Sequence, residues 1–572
     1  MLTPFLAAAL LALAPAPQKA HPMTGLSPAE KSATARLTAA EISGDVRFLS
    51  DDLLEGRMPG TRGDELAVKF IAAKLESMGL APGAPAEPGQ AEGAARSFIQ
   101  KVPLERLAAK VPGQIVFTHG TEKLSLTTVG GSKADLVMNA DAQIDLARID
   151  AADLVFAGYG IVAPEYGWDD YKDVDVRGKI VVLLNFNPPF AGEHDGKRVR
   201  LWYGRWDYKY LTAAAHGAAG ALIIHTTESA GYPWQVLSNS ADGVRFDLPS
   251  HGEPHMQFQG WVTNDAAEKL FTLGGAKLDE LRARATGPDA KSFKPVPLAL
   301  KTSFTMPITR TTVESANVIG MIPGTDPKLR DEAVIFTAHH DHLGSVPPVP
   351  PKTDGIYNGA LDNASGVAAI LAIARAATSA PAKRSLYFCL VTAEEQGLLG
   401  SRYLAEHPPV PAGRIAADIN TDSFNKWGLT RDVGEIGLGK SSIDQVVAKA
   451  AAEQGRVVHG DPFPDRGAFY RSDNFEFAKV GVPVVVVKGG PDYLNRPAGW
   501  GREQQEQYEL ENYHQPSDEY PPLGSKEAWN LDGAVQDAQL ELVVGLRIAN
   551  APQLPQWKAG DEFEKARKTA AK

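Results

Sequence analysis

From about residue 315 onward the chain alternates short apolar runs with amphipathic helical stretches, and this alternation constrains the fold more than any other feature. The runs lie at 332–337, 385–392, 415–419 and 482–487. They are nearly continuous in apolar residues, the pattern of strands buried on both faces. Between them Val367, Ile370, Leu371 and Ala374 fall at i, i+3, i+4 and i+7. Ile443, Val446, Val447, Ala450 and Ala451 repeat that spacing, with Ser441 and Asp444 expected as a cap and Gly455 as a stop. Strands alternating with helices predict an α/β fold, a largely parallel central sheet flanked by helices, over 300–550.

The segment 40–110 reads as the leading part of the same domain. Ala67, Phe70, Ile71 and Leu75 trace one helix face, and Gly79 can close that helix. Residues 111–295 differ: β-like runs at 114–118, 153–157, 179–184 and 219–225 sit between Gly-rich turns, which predicts an inserted, mostly β domain. Residues 5–16 are apolar, about half of the ~20 residues a membrane span needs, and fit a signal-peptide core. Residues 1–20 are therefore expected to direct export, placing the protein in the periplasm or outside the cell with no membrane span. The polar tail 556–572 is expected to be loose.

A formal charge of −11 argues against a nucleic-acid partner, which needs a basic face. The single cysteine, Cys389, excludes an internal disulfide and reads as a buried strand thiol. His251, Glu253 and His255 have metal-like parity, but their Pro- and Gly-flanked segment reads as a surface loop.

Chemistry-bearing residues collect where the apolar runs end. Thr337-Ala338-His339-His340-Asp341-His342 follows the first, and Leu361-Asp362-Asn363 opens the next helix. Thr392-Ala393-Glu394-Glu395 and Asn420-Thr421-Asp422 follow the next two, and Tyr513-His514 lies in a later loop. Open α/β sheets gather ligands outside the carboxyl ends of their strands, so these groups are expected to converge. Converging carboxylates with no cation in the motifs to balance them are costly. One bound divalent metal, or a pair, resolves the cost. Histidines with carboxylates and no cysteine suit Zn²⁺ best, then Mn²⁺ or Co²⁺.

On an extended backbone His339 and Asp341 point the same way, which makes Asp341 a candidate orienting partner for a ligand histidine. His342 shares the parity of His339, and parity does not choose between them. Adjacent Glu394 and Glu395 cannot both face one point, so one is expected on metal and the other on the substrate side.

AHHDHLG, GALDNASGVAA, TAEEQGLLGS, INTD and YHQPSDEY, in that order, resemble the co-catalytic di-zinc peptidases that include secreted bacterial aminopeptidases and the glutamate carboxypeptidases. FLSDDLLEGRMPGTRGDELAVKFIAAKLESMGLAPG is similar to that family's leading segment. FAGYGIVAPEYGWDDYKDVDVRGKIVVLL and GAAGALIIH resemble the protease-associated domain often inserted there. The resemblance implies two Zn²⁺ ions: His339 and Asp422 on one, Glu395 and His514 on the other, and Asp362 bridging. It further implies Glu394 as general base, Asp341 as the partner of His339, and Tyr513 as donor to the oxyanion. The implied substrates are peptides, cut at the N-terminus.

Carboxypeptidases and dipeptidases of the same family are the runner-up. A single-zinc glutaminyl cyclase-type transferase and a non-catalytic binding protein are further readings on the same fold. The presence of every ligand position and of Glu394 favours an enzyme. Arg466, Arg471, Lys488 and Arg496 are scattered positives read mainly as surface or structural ion pairs, with Arg471 the nearest plausible cation for a substrate carboxylate. The motifs hold acidic groups and no Arg or Lys, which attracts an ammonium and repels an anion.

Overall fold

The computed structural model describes residues 22–86, 96–194, 196–239, 243–348, 354–525 and 528–570. The expected export signal at 1–20 lies outside the described residues. Four parallel strands form the centre, in the spatial order Val484–Gly489, Ile415–Asn420, Ala333–His339, Ser385–Val391. Each coincides with an apolar run, and alternate residues divide between two cores. Val334, Phe336, Leu386 and Phe388 pack on one face against the helices Ser365–Ala377 and Asp532–Asn550. Ile335, Tyr387 and Cys389 face the other side with Phe475, Trp557 and Phe563. Both faces are covered, which is why these strands carry so few polar residues. The fold is thus a mixed α/β one, a central sheet flanked by helices.

The leading helix, Arg62–Ser77, buries Ala67, Ile71 and Leu75, and Thr61 caps it by accepting the Asp64 N–H. Ser441 and Asp444, expected to cap the helix Asp444–Glu453, accept instead from the Ile443 and Gly439 N–H groups ahead of it. One helical stretch among the described residues, Ala360–Ala377, is long and apolar enough to cross a membrane, and 94 % of it is buried inside the protein.

Beyond Ser385–Val391 the sheet continues through the antiparallel strand Val296–Ile322, 27 residues long. Its later part pairs with Ile99–Ala109. Its earlier part, from Val296 to Pro307, pairs with Leu146–Phe156 in a second body. Leu298, Leu300, Met306 and Ile308 are buried in that second core, so this body extends past the boundary expected at 295. Only one side of the strand is apolar there, a weaker signal than the continuous runs of the main sheet. Ile180–Leu184, Gly220–His225 and Phe258–Thr263 are parallel neighbours within it. Parallel pairing needs crossover connections, and the helix Trp206–Ala215 lies in one of them. Helices therefore accompany this sheet to a degree the β-like runs did not announce.

The tail expected to be loose is packed. Trp557 is buried and its indole N–H donates to the Gly481 carbonyl at 3.0 Å, while Phe563 stacks on Phe469. The helix Glu564–Ala570 buries Arg567, whose guanidinium donates to the Ala412 and Ile415 carbonyls. Two aromatic anchors in an otherwise polar segment suffice to hold it.

Candidate metal centre

The strand ends bring the expected residues into one cleft. His339 ends its strand, and its Nε2 lies 3.3 Å from Asp362 Oδ1, 3.8 Å from Asp422 Oδ1 and 3.9 Å from Glu394 Oε2. His514 Nε2 stands 3.4 Å from Asp362 Oδ2 and 3.0 Å from Glu395 Oε2. The two oxygens of Asp362 thus face two different groups, the disposition a bridging carboxylate needs. His342 joins the second group, with Nδ1 2.6 Å from Glu395 Oε1. The parity tie between His339 and His342 has a simple basis: both point into the centre, one on each side of Asp362.

The Asp341 carboxylate approaches His339 Nδ1 only to 3.7 Å, too far for a hydrogen bond, and the ring nitrogen meets the Asp341 backbone carbonyl at 3.3 Å instead. The carboxylate accepts the N–H groups of Glu394 at 3.0 Å and Glu395 at 3.3 Å. It anchors the turn that carries both glutamates. Ala393, Ser423 and His514 have φ of +54°, +63° and +55°. Such left-handed backbone costs on the order of 1–3 kcal/mol per residue for a side chain other than glycine, and persists where surrounding contacts impose it.

Two supports were not singled out from sequence. Arg57, from the leading segment, is fully buried beneath the acidic groups, and its guanidinium donates to the carbonyls of His340, Asn358 and Gly359. Burial lowers its pKa to about 10, while Asp341 and Asp362 nearby favour its charge. The acidic motifs therefore do have a balancing cation, supplied from far away in sequence. Asp518 is the second. Its carboxylate accepts the Leu361 and Asp362 N–H groups and the Tyr508 hydroxyl. It fixes the backbone from which Asp362 projects. Asp518→Asn is expected to weaken metal binding by about 10–100-fold, the usual cost of losing a support behind a ligand, as measured by competition with a chelator.

The donor set fits divalent metal. His339, His342 and His514 each leave a buried Nε2 with no hydrogen-bond partner, all beside carboxylate oxygens. Burial opposes charge on Asp362, but His339 and His514 hold its pKa well below the usual range. Burial likewise opposes Glu395, and His514 and His342 hold it down to about 2. Glu394 behaves oppositely: burial, with Glu395, Asp473 and Asp422 close by, pushes it well above the usual range despite His339. Glu395 is held as an anion, whereas the surroundings of Glu394 raise its affinity for a proton, as suits a group that receives one. His339, Glu394 and Asp422 also stand close enough to share an ion, so geometry alone would admit Glu394 as a ligand. The electrostatics separate the two glutamates.

Tyr513 lines the cleft and stacks on the His514 ring at 3.9 Å. Its hydroxyl oxygen accepts from the Arg471 guanidinium at 3.2 Å, which leaves its own proton free to donate. Arg471 is thus committed to Tyr513. The second body backs it, with Tyr232 under its guanidinium at 5.7 Å.

A parallel sheet whose carboxyl edge carries two adjoining groups of histidines and carboxylates defines an α/β protein built to hold divalent metal there. Residues 317–541 match the sequence model of peptidase family M28. The chain is 39 % identical over 93 residues to aminopeptidase YwaD of Bacillus subtilis, a stretch covering 16 % of this chain and 18 % of that protein. It is 33 % identical over 110 residues to a probable zinc metalloprotease of Pyrenophora teres f. teres, covering 19 % and 23 %. The matched stretches thus span less than a quarter of either relative. An aminopeptidase from Aneurinibacillus sp. strain AM-1 shares the fold, with a TM-score of 0.51 and 19 % identity over 92 % of this chain and 97 % of that one.

Proposed function

We propose that this chain is a secreted, zinc-dependent exopeptidase that removes N-terminal residues from peptides. The observation that carries the reading is the convergence of His339, Asp362, Glu395, Asp422 and His514 beside Glu394, whose surroundings raise its affinity for a proton. His339 and Asp422 would hold one ion, Glu395 and His514 the other, and Asp362 would touch both. His342 is a further donor beside Glu395. When bound, such ions polarise the scissile carbonyl and lower the pKa of the attacking water. Glu394 takes a proton from that water and delivers it to the leaving amine as the C–N bond breaks. Tyr513 donates its hydroxyl proton in a hydrogen bond to the carbonyl oxygen as negative charge builds there, with Arg471 fixing the phenol. Asp341 holds the turn that aims Glu394. The relatives named as aminopeptidases support the choice of the N-terminus, as does the excess of carboxylates at the centre, which favours an ammonium.

Peptides with free N-termini are expected to be cleaved, N-acetylation to abolish cleavage, and C-terminal amidation to leave it unchanged. A panel of such peptides, run with and without chelator, tests this. Loss on amidation with tolerance of acetylation would reverse the assignment to a carboxypeptidase.

A further inference from the structure

The cleft beside the metal centre has a volume of about 220 Å³, and three cations line it: Arg466, Arg471 and Lys488. Two are occupied. Arg466 lies 3.5 Å from Glu509 and rests on the Phe463 ring, and Arg471 donates to Tyr513. Among the described residues Lys488 has no salt-bridge or side-chain hydrogen-bond partner. Asp461, another lining residue, accepts the Phe463 N–H on one carboxylate oxygen at 2.7 Å and forms no salt bridge with Lys488.

Lys488 faces the cleft because of strand register. It stands near the carboxyl end of Val484–Gly489, on the same side of the strand as Val486, which also lines the cleft. Val485 and Val487 point the other way into the main core. The residue paired with Lys488 across the sheet is Gly434, which has no side chain to cover the lysine stem. Its charge is felt at Asp422, Asp461 and Glu541, though it forms a salt bridge with none of them, and Asp422 places it within electrostatic reach of the reacting end. The walls also include Phe424, Trp427, Phe463 and Tyr493. The cleft therefore combines carboxylates at the metal centre, aromatic walls and an ammonium with no salt bridge.

We propose that Lys488 is the counter-ion for a carboxylate on the side chain of the substrate's first residue, so that peptides beginning with glutamate or aspartate are preferred. This deepens the aminopeptidase reading and rests on it. A residue with a free α-ammonium, a short methylene stem and a terminal carboxylate matches the cleft in charge and wall chemistry. A lysine beside an exposed cleft gains most when its partner arrives desolvated against apolar walls.

The test compares peptides beginning with Glu, Gln and Leu, each with a free and an amidated C-terminus, on the zinc-loaded protein. Glu is expected to exceed Gln in kcat/KM by roughly 10- to 100-fold, the range for one hydrogen bond to a charged group. Lys488→Met is expected to erase that ratio while hydrolysing the Gln peptide within a few-fold of the parent, and Lys488→Arg to retain most of it. An unchanged Glu:Gln ratio in Lys488→Met overturns the proposal. So does a Lys488-dependent loss on amidation, which would put the lysine on the peptide's C-terminus. Calorimetry of free glutamate against free glutamine, on parent and Lys488→Met, gives a second readout. If no peptide is cleaved the peptidase reading fails, while a glutamate preference lost in Lys488→Met would still identify the lysine as the carboxylate's partner. Equal binding of the two amino acids to the parent would count against it.

Discussion

Replacing Glu394 by glutamine is expected to lower turnover by about 10²–10⁴-fold, the loss typical of removing a general base. The variant should keep its fold and its metal. Glu395→Gln is expected to lose metal instead. Both side chains sit in the same turn, anchored through their N–H groups by Asp341, so position does not distinguish them. Their surroundings do. Glu395 lies between His342 and His514, two histidines that stabilise its anion. Glu394 has His339 at 3.9 Å but is crowded by other carboxylates, which push its pKa up. An amide in its place is close in size and removes only the titratable group. Metal content and turnover measured on the same preparations decide the matter. Equal metal loss in both variants would contradict the division of labour.

Chelation is expected to abolish hydrolysis and to lower the unfolding temperature, with zinc restoring both and two ions bound per chain at saturation. An ion that binds only the folded state stabilises it by about 4 kcal/mol at a thousandfold excess over its Kd. One ion per chain would sink the two-metal reading and favour the cyclase-type alternative. The effect has a pH signature. In the metal-free protein burial opposes the charged His514, but Glu395 and Asp362 raise its pKa to about 10. That raised pKa contributes stability in full below the unfolded value of about 6.5. The contribution fades as pH rises toward 10. Metal, which binds the neutral imidazole, gains over the same interval. The difference in unfolding temperature between loaded and chelated protein should therefore widen from pH 6.5 upward. A difference that shrinks with rising pH would be inconsistent with His514 as a ligand.

Much of this was legible in the chain itself, and what was hidden was hidden for physical reasons. The four central strands were visible because burial on both faces makes them continuously apolar. The motif residues were visible because the carboxyl ends of such strands meet in one place. Arg57 was not, because its partners His340 and Asn358 come from a segment far along the chain. The role of Asp518 was not, because a carboxylate that accepts backbone N–H groups leaves no spacing pattern. Lys488 was set aside as one of several scattered positives. Only the register opposite Gly434, and the commitments of Arg466 and Arg471, single it out. The tail misled because its composition is polar while Trp557 and Phe563 do the anchoring.

The long strand Val296–Ile322 also bears on how this protein could be shortened, by design or by descent. It belongs to both sheets without a break, and Ile99–Ala109 runs alongside its second half. The second body is thus not a bead threaded on a loop. Excising 111–295 would strip Leu298, Leu300 and Met306 of their core and leave a bare half-strand fused to the edge of the catalytic sheet. A viable shorter relative would have to lose that half-strand as well and rejoin the chain between Ala109 and Ile308, where the two strands already lie side by side.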